Sequence, residues 1–287
     1  MKVAVIGLGK MGLGMAVSLK RSGFEVFAHD NQASAQAVAA EHGLQWVPTL
    51  AGLAHRAQFF VLSLPTGAIV QRVVGGEAGI ASFAPPGTVI VDTSTSDPAT
   101  SRGLAQQLAH QRIAFIDAPV SGGAKGALAG ELTMFIGGSL EGVEAARPVL
   151  EALGSKRFHI GESGAGNVGK ILNNLLCASH LVIAAEAFKL GEAAGVKALD
   201  VLEAINAGSG RSHVTQYNFP ARILNEGFDS GFTMQLMRKD VGLATTLMAD
   251  SGAMLPVAQA IADIWARSSD EVADGEDFNR IVQFSHI

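Results

Sequence analysis

Short, almost unbroken apolar runs separated by amphipathic stretches fill the first 160 residues. "KVAVIG" (2–7), "EVFAHD" (25–30), "FFVLSL" (59–64), "TVIVDT" (88–93) and "IAFIDAP" (113–119) are such runs. Apolar residues at successive positions over so short a length predict strands covered on both faces, as in the middle of a parallel sheet. Helical spacing occupies 10–22, 32–42 and 97–110 between them. In "SDPAT", Asp97 is placed to cap the last of these helices, with Pro98 in its first position. This alternation predicts βαβ units and an α/β fold, a doubly wound parallel Rossmann sheet. "LTMFIGG" (132–138) and "RFHIG" (157–161) read as further strands of that sheet.

The pattern changes after Gly161. Residues 167–194 predict one long interdomain helix, about 40 Å at 1.5 Å per residue, and "VKALDVLEAINAG", "MRKDVGLATTLMADSG" and "LPVAQAIADIWARSS" continue with helical spacing. Nothing after the long helix resembles a strand. Two domains are therefore expected: 1–162, a sheet domain, and 163–287, an all-α C-terminal domain. The segment 208–220, "GSGRSHVTQYNFP", reads as a plain interhelical loop. A sharper reading gives Arg211 a distal acidic group on a substrate.

Composition narrows the function classes. Apolar residues are 48% and charged residues 16% of 287, ample for a large core. The net charge is −5 with no basic run, which argues against nucleic acid and anionic membranes as partners. No uninterrupted apolar run reaches the roughly 20 residues of a membrane span. The N-terminus reads as a strand and not as a signal peptide, so a cytoplasmic protein is expected. The single cysteine, Cys177, excludes a disulfide framework and reads as a small buried hydrophobe. The eight histidines show no metal spacing, so no metal is expected; His29 and His180 read as structural.

Glycine is in excess, with 34 copies, and it concentrates in loops. Gly7, Gly9 and Gly12 in "VIGLGKMGLGMAVSL" have G-x-G-x-x-G spacing directly between a strand and a helix. Their roles there are the tight turn, close approach of backbone to a pyrophosphate, and close helix–strand packing. The helix N-terminus adds free amides and a positive dipole end for the phosphates. Asp30 ends the second strand, where a carboxylate accepts from ribose hydroxyls and repels a 2′-phosphate; a cap for the next helix is its plainer role. Asn31 and Gln32 follow, with no Arg or Lys for that phosphate. NAD is expected in preference to NADP.

Two further segments carry chemistry. "DAPVSGGAKGALAGELTMFIGG" (117–138) sets the hydroxyl of Ser121 beside the amides of Gly122 and Gly123, an arrangement suited to a bound carboxylate, though also to a flexible connection. Lys170, Asn173 and Asn174 open the long helix at i, i+3 and i+4, so Lys170 and Asn174 share a face. A solvated lysine is the plain reading of Lys170.

Together, "GLGKMGLGMAVSL", "VDTSTSDP", "DAPVSGGAKGALAGELTMFIGG", "GAGNVGKILNN" and "MRKDVGLA" follow the order and rough spacing of the β-hydroxyacid dehydrogenase family, which the whole chain resembles. The resemblance implies that Lys170 is the general acid/base and that Asn174 orients the substrate. It implies that Ser121, Gly122 and Gly123 hold the substrate carboxylate, with Asp240 and Phe232 also at the substrate. Gly7, Leu8, Gly9, Lys10, Met11, Gly12, Asp30, Leu64, Pro65, Thr95 and Lys239 would contact the cofactor. A free lysine titrates near ~10.4, too high for an efficient base at neutral pH; partial burial near a positive helix end would lower it.

The implied activity is NAD-dependent interconversion of a small 3-hydroxy acid, like 3-hydroxyisobutyrate, and its semialdehyde. The alternatives are a reductase of tartronate semialdehyde, succinic semialdehyde or glyoxylate using NAD(P)H, and a non-catalytic dinucleotide-binding protein, which the retained lysine and Ser-Gly-Gly loop disfavour. Imine reduction is disfavoured as well, because relatives with that activity replace the lysine. A homo-oligomer, dimer or tetramer, is also implied, with a small carboxylate as the ligand.

Overall fold

A computed structural model describes residues 1–287. The chain forms two compact units, Met1–Lys170 and Ile171–Ile287, and the division falls inside the helix Ala165–Ala193. The change of pattern in the sequence lies a few residues earlier, near residue 163.

The first unit holds one sheet. Its strands are β1 (Lys2–Ile6), β2 (Glu25–His29), β3 (Gln45–Trp46), β4 (Phe59–Leu62), β5 (Val89–Asp92), β6 (Ala114–Asp117), β7 (Val120–Ser121), β8 (Thr133–Gly137) and β9 (Lys156–Gly161). They lie in the order β3-β2-β1-β4-β5-β6-β8-β7, with β9 also paired to β8. Strands β1 to β6 are mutually parallel. Strand direction reverses at β8, which runs antiparallel to β6 and β7 and parallel to β9. Two strands escape the sequence pattern: β3 and β7 have two residues each, too short for any periodicity.

The unbroken apolar runs have a direct physical cause. Val3, Val5, Val26, Ala28, Phe59, Val61, Val89 and Val91 belong to one buried cluster. Their neighbours Ala4, Ile6, Phe27, Phe60, Leu62 and Ile90 belong to another. Successive side chains leave opposite faces of a strand, and here both faces are covered. The helix Pro98–Ala109 begins as its sequence predicts: Asp97 accepts the Thr100 amide at 2.7 Å, and Pro98 follows it.

The second unit is helical, built of the rest of Ala165–Ala193 with Ala198–Ala207, Met234–Ser251 and Pro256–Arg267. Its core gathers Leu181, Phe188, Phe219, Met237 and Ile281 around the fully buried Trp265. Trp265 Nε1 donates to the Ala178 carbonyl at 3.3 Å. One isolated β-bridge joins Thr233 and Asp277.

The loop reading of 208–220 needs correction. Val214–Ile223 is a wide π-helical segment, in which the Leu224 amide reaches the Phe219 carbonyl five residues back. Pro220 supplies no amide of its own, and the wider winding is compatible with that gap. Ala165–Ala193 is long and apolar enough to cross a membrane by length and composition, with mean hydropathy 1.5 over its best window. That mean tolerates Asn173, Asn174 and His180, which interrupt every apolar run. Ile171, Ala178, Leu181, Val182 and Phe188 are nonetheless buried along it, as in a core helix.

Candidate active site

The glycine loop between β1 and the helix Lys10–Arg21 separates three demands on glycine. Gly7 has φ +90°, and a Cβ there would stand 2.2 Å from the Ser63 carbonyl oxygen. A Cβ on Gly12 would lie 1.8 Å from the Gly7 carbonyl oxygen. Packing within the protein thus requires both glycines. Gly9 is different: a Cβ there would meet no protein atom within 4 Å. Gly9 is also the N-cap of the helix, with no side-chain bond to its first amides. Leu8 is buried, Met11 half-buried and Lys10 exposed. Space at Gly9 together with uncapped amides at a helix start is a cradle that fits a dinucleotide pyrophosphate.

Asp30 ties this loop down. Its Oδ2 accepts the Leu8 amide at 2.7 Å and its Oδ1 accepts the Gln32 amide at 2.9 Å. It does not cap the following helix Ala35–Glu41, whose N-cap is Ser34. The carboxylate is half-buried and keeps lone pairs for further hydroxyl donors. Beside it, His29 Nδ1 lies 2.9 Å from the Val47 carbonyl oxygen and the ring stacks on Trp46, the structural role expected of it.

Leu64 and Pro65 leave β4 next to the same loop, and the Leu64 amide donates to Ser94 Oγ at 2.9 Å. Thr93 Oγ1 donates to the Leu62 carbonyl at 2.5 Å. The Thr93–Ser96 loop, which carries half-buried Thr95, is thereby fastened to the end of β4.

The Ser-Gly-Gly segment turns at Gly122 (φ +133°) and Gly123 (φ +63°) and enters the helix Gly123–Ala129. Both glycines are exposed and Ser121 is half-buried. That helix packs on Lys10–Arg21 at Gly14, where a Cβ would come within 3.0 Å of the Leu128 amide nitrogen. Arg21 Nη2 donates to the Ala129 carbonyl at 2.6 Å. The two glycine segments, more than 100 residues apart in sequence, are thus brought together. Gly14 stands out only as one more glycine in "GLGKMGLGMA", and its packing role is invisible without the partner helix.

Sequence reasoning missed a buried polar network at the ends of β5 and β6. Asp92 and Asp117 are register partners on these strands and both are fully buried. Asp92 accepts the Ser94 amide at 3.0 Å and the Ser96 hydroxyl at 3.4 Å. Asp117 accepts the Gly164 amide at 2.7 Å and the Asn167 amide at 3.0 Å, which caps the start of the long helix from another strand. Burial pushes the Asp92 carboxyl up to about 7, against the Ser94 bonds and with help from the nearby Asp117 charge. Burial likewise raises Asp117, opposed by its backbone amide donors. An acidic residue closing each apolar strand was the available signal, but it reads equally as a turn or cap.

Lys170 lies in the second turn of Ala165–Ala193 and is 8% exposed. The solvated reading of this lysine therefore falls. Asn174, one turn on and 5% exposed, donates through Nδ2 to Asp240 Oδ2 at 2.5 Å. Asn173 Nδ2 donates to Asn174 Oδ1 at 3.0 Å. Lys239 Nζ stands 2.9 Å from Asp240 Oδ1. A carboxylate and an amide 66 residues apart thus form one buried pair, with a lysine on its rim. Phe232 stands edge-on to Phe278, ring centroids 5.4 Å apart. Arg211 is exposed in the loop before the π-helical segment. No group of three or more His, Cys, Asp or Glu side chains is arranged to hold a metal ion.

Comparison with known proteins agrees with this architecture. Residues 2–161 match the family model for the NAD binding domain of 6-phosphogluconate dehydrogenase. Residues 164–285 match that for the NAD-binding domain of NADP-dependent 3-hydroxyisobutyrate dehydrogenase. The chain is 35% identical to 2-(hydroxymethyl)glutarate dehydrogenase of Eubacterium barkeri, over 98% of this chain and 94% of that one. It is 34% identical to the NAD-dependent L-serine dehydrogenase of Pseudomonas aeruginosa, over 89% and 88%. Among solved structures, Mycobacterium tuberculosis 3-hydroxyisobutyrate dehydrogenase with L-serine superposes at a TM-score of 0.91. It covers 98% of both chains at 33% identity.

Proposed function

The chain belongs to the β-hydroxyacid dehydrogenase family, an NAD(P)-binding oxidoreductase that acts on the CH–OH group of hydroxy acids, and from that premise we propose that it interconverts a 3-hydroxyisobutyrate-like 3-hydroxy acid and its semialdehyde with Lys170 as general acid/base. The substrates named for the relatives share one unit, a hydroxymethyl group on the carbon next to a carboxylate, and differ in the third substituent on that carbon. Ser121 with the amides of Gly122 and Gly123 takes the common carboxylate. Lys170 takes the common hydroxyl, oriented with the help of Asn174, and Asp240 holds Asn174 in place. Phe232 contributes an apolar wall.

The dinucleotide supplies the hydride acceptor, or donor in the reverse direction. Gly9 and the amides of Lys10 and Met11 hold its pyrophosphate; Gly7 and Gly12 shape the loop, and Leu8 fixes it through the bond from its amide to Asp30. Asp30 takes the ribose hydroxyls. Leu64, Pro65, Thr95 and Lys239 complete its surroundings. In oxidation Lys170 receives the hydroxyl proton at Nζ, and in reduction it returns a proton to the carbonyl oxygen. The observation that carries the reading is this buried lysine one helical turn from the amide that Asp240 fixes.

NAD over NADP rests on Asp30, Asn31 and Gln32. Residues 1–162 serve the cofactor and 163–287 serve substrate and assembly in this reading. Leu172, Leu176, Ile183 and Leu190 are half or more exposed on one helix, at spacings of four and seven that keep them near one face. They support a dimer or tetramer. The single cysteine suits a reducing, cytoplasmic compartment.

Steady-state kinetics of Lys170→Ala tests the assignment, with 3-hydroxyisobutyrate, L-serine and 2-(hydroxymethyl)glutarate as substrates and both dinucleotides. A fall in kcat of about 10²–10⁴-fold with dinucleotide affinity retained is expected; near-normal turnover refutes the role of Lys170. Equal kcat/KM with NADP refutes the role given to Asp30.

A further inference from the structure

Asn167 touches three other segments of the chain at once. Its amide donates to Asp117 Oδ2, its side-chain Oδ1 accepts the Ser96 amide at 3.1 Å, and its Nδ2 donates to Ser101 Oγ at 2.8 Å. Asn167, Ser96, Ser101 and Asp117 are all buried to 1% exposure or less. Asp117 already caps the helix start, so helix capping leaves the Asn167 side chain free to bond elsewhere. It reaches instead to a loop 71 residues earlier. Ser96 adjoins Thr95, and Asp92 holds the same loop through Ser94 and Ser96. Lys170 follows Asn167 by three residues, on the neighbouring helical position.

The surroundings leave this helix start no room to shift. A Cβ on Gly166 would fall 2.4 Å from the Phe135 carbonyl oxygen and 2.5 Å from that of Asp117. The helix is therefore seated directly on the ends of β6 and β8.

We propose that Asn167 is a positioning residue that fixes the turn bearing Lys170 and the loop bearing Thr95 in one register. The proposal builds on the reading of Lys170 as the acid/base and of Thr95 as flanking the dinucleotide. The side chain must accept from a backbone amide and donate to a hydroxyl at once, which an amide does and a carboxylate or an alkyl group does not. A buried network with all members satisfied selects a single arrangement. Displacing a reacting group by about 1 Å costs on the order of 100-fold in rate, so such a link bears on catalysis while touching no reactant.

Asn167→Leu keeps the volume and removes the link. In the ligand-free protein, hydrogen exchange at the Ser96 amide should quicken at least about tenfold, because its acceptor is gone. The Gly164 amide, held by Asp117, should keep its rate. In the holoenzyme, kcat should fall about 10–100-fold with KM for the dinucleotide within a few-fold. The primary deuterium isotope effect on the hydroxymethyl carbon should rise as the chemical step becomes limiting. Unchanged Ser96 exchange, or an unchanged isotope effect with a rate loss that matches the loss of folded protein, overturns the proposal. Should Asn167→Leu fail to fold, Ser101→Ala removes only the acceptor of Nδ2 and carries the same two readouts with a smaller change. Lys170→Ala run alongside separates the two ideas. Retained turnover there fells the acid/base reading and, with it, the catalytic purpose given to Asn167. Lost turnover with unmoved exchange and isotope effect in the Asn167 variants fells this proposal alone.

Discussion

The glycine loop of the first unit and the Asn174–Asp240 pair of the second are built on opposite principles. The loop presents backbone: Gly7 and Gly12 exclude a side chain by internal packing, and Gly9 leaves an open face. The pair presents side chains, and its specificity comes from desolvated charge and hydrogen bonding across 66 residues of sequence. A backbone site tolerates little change in residue size and much change in charge. A side-chain site behaves the other way round.

The largest effect that can break this contrast lies within the loop itself. Gly12→Ala should lower unfolding stability by about 3 kcal/mol or prevent folding, since backbone must move to admit its Cβ. Gly9→Ala should stay within about 1 kcal/mol of the parent in urea unfolding, yet bind NAD at least about tenfold more weakly by calorimetry. Equal behaviour of the two variants would mean that both glycines serve packing alone.

A second effect sharpens the contrast through pH. Asp92, lifted to about 7 by burial first of all, keeps a proton in the folded state that the unfolded chain releases near its ordinary value of 3.8. The stability this proton represents is full below about pH 4 and is lost as pH rises through about 7. Asp117 acts in the same direction. At 1.36 kcal/mol per unit, Asp92 makes the protein less stable at pH 8 than at pH 5 by about 2–3 kcal/mol. Asp92→Asn should flatten that part of the slope in urea titrations at the two pH values. An unchanged slope rules out Asp92 as its source.

Smaller changes are expected at the two carboxylates assigned to the proposed ligand sites. Asp240→Asn keeps an oxygen for Asn174 Nδ2 but removes the charge facing Lys239, and should lower kcat/KM about tenfold, the scale of one charge-assisted hydrogen bond. Asp30→Asn should raise the NAD KM a few-fold, since the Leu8 amide keeps an acceptor, while the preference over NADP narrows. Should Asp240→Asn match the parent and Asp30→Asn abolish binding, the assignment of charge to one site and shape to the other would be reversed.

How much of this was legible differs by element. The strands with four or more residues, the Asp97–Pro98 helix start and the G-x-G-x-x-G turn are local, and each follows from the period of apolar positions or from one residue's conformational needs. Phe232 at Phe278 and the π-helical winding of Val214–Ile223 depend on partners far along the chain. Asp92 and Asp117 ended apolar runs in plain view, yet nothing local distinguishes an acid that faces water from one buried against a helix start.

Sequence by itself determined the two classes of architecture, the family and the identity of the groups available for chemistry, because periodicity and motif order are properties of the chain alone. Tertiary structure decided which of those groups meet: Asp30 with the Leu8 amide, Asn174 with Asp240, and Asn167 with Ser96. Hydrogen bonds act over about 3 Å, and only the folded backbone sets distances that small between residues so distant in sequence.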